Sequence, residues 1–124
     1  MGGVIQSDDF VLFIHTEFKN EFCGLKDYKF FCFNGEPKLM YIANDRSEYA
    51  TTDFFDMNFN HLNIRMKDPN SLTVPDKPRF FEDMKRLAKI LSVNIPIVRI
   101  DFYETIKGLY FGEYTFYHSA GFSD

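Results

Sequence analysis

Ile97-Val98-Arg99-Ile100-Asp101-Phe102-Tyr103 and Leu109-Tyr110-Phe111-Gly112-Glu113-Tyr114-Thr115, joined across Ile106-Lys107-Gly108, decide the fold. Both runs are rich in β-branched and aromatic residues, and a short segment closed by glycine separates them, so they read as a β-hairpin. A three-residue loop at 106–108 with Gly108 in the left-handed conformation pairs Thr105 with Leu109. That register sets Asp101 opposite Glu113 and Arg99 opposite Thr115. Val98, Ile100 and Phe102 then share the other face with Tyr114 and Phe116. Two carboxylates directly across a strand pair lie roughly 5 Å apart and repel. The obvious candidates to compensate them are Arg99 and a divalent cation.

Upstream, Phe80, Met84, Leu87, Ala88 and Leu91 fall at helical spacing and make one apolar stripe. The spacing predicts one principal helix over 78–92, with Asp76 as its cap and Pro78 in the first turn, where a missing N–H costs nothing. Glu82 and Asp83 near its start and Lys89 near its end complement the helix dipole. Asn94-Ile95-Pro96 ends it and feeds the hairpin. Further back, Tyr28–Phe33 and Lys38–Ala43 flank Asn34-Gly35, a strong hairpin signal, and Pro37 limits where the second strand begins. Ala50–Phe55 reads as another strand. Residues 57–77, rich in Asn, Asp and Pro, read as a long loop. An apolar run at 10–14 is a candidate buried strand, and 15–26 a connection. The pattern is α+β, a mainly antiparallel sheet with one helix.

Composition bounds the function. A chain of 124 residues holds one domain and one core. The net charge of −4 argues against nonspecific binding of nucleic acid or of acidic membranes, which needs clustered Lys and Arg. Aromatic residues make up 19% of the chain, and they are assigned to the core. Cys23 and Cys32 are too few for a zinc site and read as free buried thiols. No run approaches the ~18 apolar residues of a membrane span, and the N-terminus lacks the segments of a signal peptide. The chain is therefore expected in the cytoplasm, with no nucleic-acid partner and no membrane insertion.

Asp101 and Glu113 side by side suit a hard cation such as magnesium, which takes one or two carboxylates together with substrate phosphates. Arg99, on the same face, can hold a phosphate bidentately. The alternative is an Arg-Asp-Glu cluster on a solvated sheet face, the commoner use of such residues. Asp27 and Lys29 share a strand face by the same period of two. His15, His61 and His118 have no evident carboxylate or cysteine partner in the sequence.

Taken together, Asp27–Pro37, Asp45-Arg46, Phe54–Asp56, the Lys77-Pro78 helix and Val98–Tyr103 with Leu109–Phe116 resemble the TupA-like branch of the ATP-grasp superfamily. Its namesake is a teichuronopeptide biosynthesis protein. Its members sit in bacterial pathways for capsular and other cell-surface polysaccharides and are often labelled glycosyltransferases. The resemblance covers about 27–122, which makes that span a partial ATP-grasp domain and leaves 1–26 as an N-terminal segment. It implies ATP and Mg2+ as cofactors. It further implies Arg99 as the catalytic residue touching phosphate, Asp101 and Glu113 as magnesium ligands, and Asp27 and Lys29 with Arg99 on the cofactor side, Asp27 near the ribose. Thr115 stands where many such enzymes carry an Asn ligand.

A complete ATP-grasp enzyme clamps ATP between two subdomains, and the resemblance reaches the C-terminal one. Two functions are therefore carried forward. One is a jaw of an ATP- and Mg-dependent carboxylate–amine ligase that needs a complementary N-terminal half. The other is a noncatalytic, degenerate module that acts through protein interaction or homodimerises.

Overall fold

The structure, a computed structural model, describes residues 2–6, 11–15, 26–44, 50–65, 68–105 and 108–117, the first two stretches as backbone alone. Among the described residues eight strands form one sheet: β1 (Gly2–Gln6), β2 (Val11–His15), β3 (Asp27–Phe33), β4 (Glu36–Asn44), β5 (Thr51–Phe55), β6 (His61–Leu62), β7 (Ile97–Thr105) and β8 (Gly108–Phe116). Among the described residues there is one helix, α1 (Phe81–Leu91), between β6 and β7 in the chain. The sheet order is β1-β2-β8-β7-β3-β4-β5-β6. Every neighbouring pair is antiparallel except β2 and β8, which run parallel. The α+β arrangement expected from the sequence is the one found.

Alternation of side chains along each strand divides the sheet into two faces. Phe30 and Cys32 from β3, Met40 and Ile42 from β4, Phe55 from β5, and Val98, Ile100 and Phe102 from β7 all point at α1 and are fully buried. They meet Phe81, Met84, Leu87 and Ala88 of the helix in one cluster, with Phe80 and Leu91 partly buried against it. The stripe read from the sequence is thus the packed stripe, extended by Phe81, whose ring stands 6.0 Å from Phe30 and 5.4 Å from Phe59. Burying side chains of this size stabilises the domain by about 1.5–3 kcal/mol each before entropy is counted. Cys32 is a free, buried thiol, and burial pushes its pKa up from 9.0 to about 11.

The helix begins later than expected, and its cap is not Asp76, which is exposed. The Pro78 carbonyl accepts from the Phe81 N–H at 3.1 Å, forming a turn before the first helical residue. The Glu104 carboxylate, reaching across from β7, accepts from the Arg79 and Phe80 N–H groups at 3.1 and 3.0 Å. A side chain 24 residues downstream in sequence therefore does the work that local spacing assigns to an aspartate.

The Asn34-Gly35 turn is as read: both residues have positive φ, 53° and 81°, the signature of a type I′ hairpin. Pro37 does not delay β4, which starts at Glu36. A register shift beside Phe31/Cys32 takes up the irregularity that proline brings. β5 begins one residue later than the expected Ala50, and β2 runs 11–15 where 10–14 was expected. β1 had no signal in the sequence: its two glycines and short apolar pair look like a tail until β2 supplies a ladder. The long loop at 57–77 holds one short strand, β6, and is otherwise irregular among its described residues. The expected connection at 16–25, including Cys23, the Asp45-Arg46 pair and the 118–124 segment with His118 lie outside the described residues.

Candidate functional site

The hairpin of β7 and β8 carries the site, and its register has a different origin from the one the turn suggests. Thr105 pairs with Gly108, not Leu109, and Gly108 has φ 151°, outside the left-handed helical well. The ladder continues through Glu104/Leu109, Tyr103/Tyr110 and Phe102/Phe111, then shifts by one residue so that Asp101 faces Glu113 and Arg99 faces Thr115. Gly112 is the extra residue of this bulge. A Cβ at Gly112 would lie 3.1 Å from the Tyr103 ring and 3.2 Å from the Asp101 carbonyl oxygen, tighter than ordinary contact, so a side chain there would press on both. The shorter turn and the bulge offset each other, and the expected acidic pair is found in place.

β3 runs beside β7 with Lys29 directly opposite Asp101. Lys29, Asp101 and Glu113 therefore stand in a row across three strands, on the face away from α1. Asp27, Lys29 and Asp101 are 7%, 9% and 3% exposed, so this is not the solvated cluster that the sequence allowed; Glu113, exposed, is the open end of the row. The Lys29 Nζ lies 2.7 Å from Asp101 Oδ2 and 3.9 Å from Asp27 Oδ2. The Arg99 guanidinium forks onto the same carboxylate, Nε to Oδ1 at 2.9 Å and Nη2 to Oδ2 at 3.2 Å. Its Nη2 is 3.9 Å from Glu113 Oε2, and its Nη1 donates to the Tyr41 hydroxyl at 3.3 Å. Arg99 does compensate the acidic pair, as the sequence anticipated. Lys29 does so as well, and only the neighbouring of β3 and β7 reveals it.

Burial works to lower the Arg99 pKa, but the hydrogen bonds and charge of Asp101 more than offset it, and the guanidinium ends above its ordinary value. Burial raises the Tyr41 pKa despite the opposing Arg99 charge. Burial, followed by the charges of Asp27, Asp101 and Glu113, raises that of Tyr103. Both phenols stay protonated at neutral pH. Tyr41 also packs against Phe31 and Phe54, with ring centroids 5.8 and 5.0 Å away, and Phe31 meets Tyr117 at 6.3 Å. The charged row is thus flanked by a wall of flat apolar rings.

Among the described residues no group of three or more His, Cys, Asp or Glu side chains comes together as a metal site. The donor set at Asp101 and Glu113 nevertheless fits magnesium in kind, two hard carboxylates on adjacent strands with one of them open to solvent. It fits only if the cation takes a position on Asp101 that Lys29 now fills.

Two other polar features lie away from this row. His61, without a partner in the sequence, has one in space: its Nε2 is 3.2 Å from Oδ1 of the buried Asp53. Ser71 Oγ lies 2.7 Å from Asp53 Oδ2 and its N–H donates to the same carboxylate, so Asp53 pegs the 61–71 loop to β5. The serine faces the carboxylate and not the imidazole, which is the wrong order for an activated nucleophile. An open cleft of about 430 Å³ lies on the outer side of α1, between Met57, Pro37 and charged residues. Its cations are already engaged, Lys85 with Glu82 at 3.0 Å and Lys89 with Glu36 at 3.4 Å.

A scan against protein-family models matches residues 11–124 to TupA-like ATPgrasp. The chain belongs to the TupA-like ATP-grasp family. A search of curated proteins and a search of solved structures gave no match. The match spans the whole sheet apart from β1, and it includes all of Asp27, Lys29, Arg99, Asp101 and Glu113. ATP-grasp proteins generally use ATP and Mg2+. No helix among the described residues is long and apolar enough to cross a membrane.

Proposed function

We propose that this chain is one jaw of an ATP-grasp ligase-like protein of bacterial cell-surface polysaccharide biosynthesis, and that its β7–β8 hairpin holds the phosphates of magnesium-ATP. The observation that carries this reading is the row Lys29–Asp101–Glu113 with Arg99 laid across it, on the sheet of a chain that belongs to an ATP-grasp family. A guanidinium already held in plane by a carboxylate presents its remaining N–H groups at fixed angles, the geometry that recognises a phosphate. Lys29 supplies a second, mobile positive charge. Asp101 and Glu113 would hold the magnesium ion, which when bound supplies charge neutralisation along the phosphates. The rings of Phe31, Tyr41 and Tyr117 bound one side of the site, while Glu113 leaves the row open to solvent at its end.

One sheet face offers one wall. Ligase turnover requires two substrates held in near-attack geometry, so the reading includes a complementary ATP-grasp half or a second copy as partner, acting in the cytoplasm. Calorimetry with ATP and Mg2+ tests binding. The exposed Glu113→Gln is the informative variant, because it removes a carboxylate without burying an orphaned charge. Metal-dependent heat that weakens in Glu113→Gln supports the reading, and no heat at millimolar ATP removes it. A noncatalytic, self-associating module is the second reading. The exposed apolar side chains of Ile90 and Val93 near the C-terminal end of α1 and of Phe116 at the end of β8, 59%, 62% and 61% exposed, are the surface such self-association would use. Light scattering that reports a monomer at all accessible concentrations would remove that alternative.

A further inference from the structure

Among the described residues five charges meet at the hairpin, Asp27, Asp101 and Glu113 against Lys29 and Arg99, and these five sum to −1. The two cations differ in how they are held. Arg99 grips Asp101 with two N–H groups and is braced by Tyr41, so its position is fixed from both sides. Lys29 touches Asp101 through a single atom at the end of a flexible stem, and a second carboxylate, Asp27, lies 3.9 Å from the same ammonium. A divalent ion at Asp101 Oδ2 cannot share that oxygen with an ammonium 2.7 Å from it. The ammonium and the ion compete for that oxygen, to which Arg99 Nη2 also donates at 3.2 Å.

We infer that the Lys29 ammonium is a placeholder cation: it occupies Asp101 Oδ2 in the free chain and swings toward Asp27, or onto the ligand's phosphate, when a divalent cation takes that oxygen. The inference rests on the magnesium site proposed above. It explains how two acidic residues can face each other on a half-buried sheet, since Lys29 and Arg99 supply compensating charge. It also makes metal and ligand binding interdependent. A divalent ion turns the net charge of the cluster from −1 to +1, which an arriving phosphate then balances.

The test uses Mn2+ alone as the probe, followed by its electron paramagnetic resonance with no nucleotide present. Oxygen ligands take Mn2+ much as they take Mg2+. Lys29→Met removes the competing charge and keeps the stem, so Mn2+ should bind at least about tenfold more tightly than to the unaltered chain. Lys29→Gln serves the same purpose if the methionine variant does not fold, as judged by circular dichroism. Lys29→Arg retains the charge and should show no gain. Equal or weaker Mn2+ binding by the folded neutral variant, or an equal gain in Lys29→Arg, overturns the inference. Failure of magnesium-ATP calorimetry with a normal Mn2+ gain would instead count against the proposed function and leave the placeholder standing.

Discussion

Replacing Asp101 by Asn separates a structural ion cluster from decoration. Asp101 is 3% exposed, and it is the carboxylate on which both Lys29 and Arg99 converge, at 2.7 and 2.9 Å. Asn keeps the shape and one acceptor oxygen but removes the charge. Lys29, itself 9% exposed, is left with Asp27 Oδ2 at 3.9 Å. Breaking one side of a buried ion pair costs about 3–5 kcal/mol, since the surviving charge stays desolvated. Arg99 is partly solvated and Asn still accepts one hydrogen bond, so about 3 kcal/mol is expected. A domain of this size has roughly 5–15 kcal/mol in all. With a urea m-value of about 1–2 kcal/mol/M, the unfolding midpoint falls by roughly 1.5–3 M. Circular dichroism in urea at neutral pH measures it. Adding Lys29→Met to Asp101→Asn should recover at least about 1 kcal/mol relative to the sum of the single losses, as coupled neighbours do. A loss under about 1 kcal/mol for Asp101→Asn, or strict additivity in the double variant, would show that the cluster is loosely solvated and refute the reasoning.

Glu104→Gln takes the charge from the cap at the start of α1 and should cost about 1 kcal/mol. Amide exchange at Arg79 and Phe80 should quicken, and unchanged protection there would contradict the cap. Gly112→Ala forces a methyl toward the Tyr103 ring and the Asp101 carbonyl and should destabilise by about 1–3 kcal/mol, read from the same urea curves. A neutral effect would mean that the bulge is not tightly packed. The Cys32 thiol has a folded pKa near 11 against an ordinary 9.0, so the folded chain holds this proton more tightly than the unfolded chain. The stability it contributes is complete below pH 9 and is lost as pH rises toward 11, up to about 2 kcal/mol. Buried Tyr28 and Tyr103 act in the same direction at higher pH, so the comparison is with Cys32→Val, whose alkaline slope should be shallower; identical slopes would count against a buried thiol.

Much of the fold was legible because its signals are local. Runs rich in β-branched and aromatic residues, bounded by turn signals, gave β3, β4, β5 and the hairpin. The Asn34-Gly35 pair gave a turn whose positive φ values only a few residues tolerate, and helical spacing gave the face that α1 buries. Even the acidic pair could be read, although by a count in which a turn taken one residue too long matched a bulge not foreseen at Gly112. The α1 cap could not be read, since Glu104 reaches it from another element, and the nearest acceptor in sequence, Asp76, is an exposed residue that the chain bypasses. His61 looked solitary for the same reason, its partner Asp53 lying on the neighbouring strand.

Local pattern carries β3, β4, β5, the two hairpin strands and the buried face of α1, whereas the facing of Asp101 and Glu113 also needs the bulge at Gly112, which no local signal marks. Only the tertiary structure decided that β3 lies against β7. Lys29 and Asp101 are 72 residues apart in the chain, and no local preference connects them. Their meeting follows from burying the apolar faces of both strands under α1, which leaves Lys29 facing Asp101 on the opposite side of the sheet. An acidic pair that invites a metal thereby becomes a cluster that already holds a cation of its own.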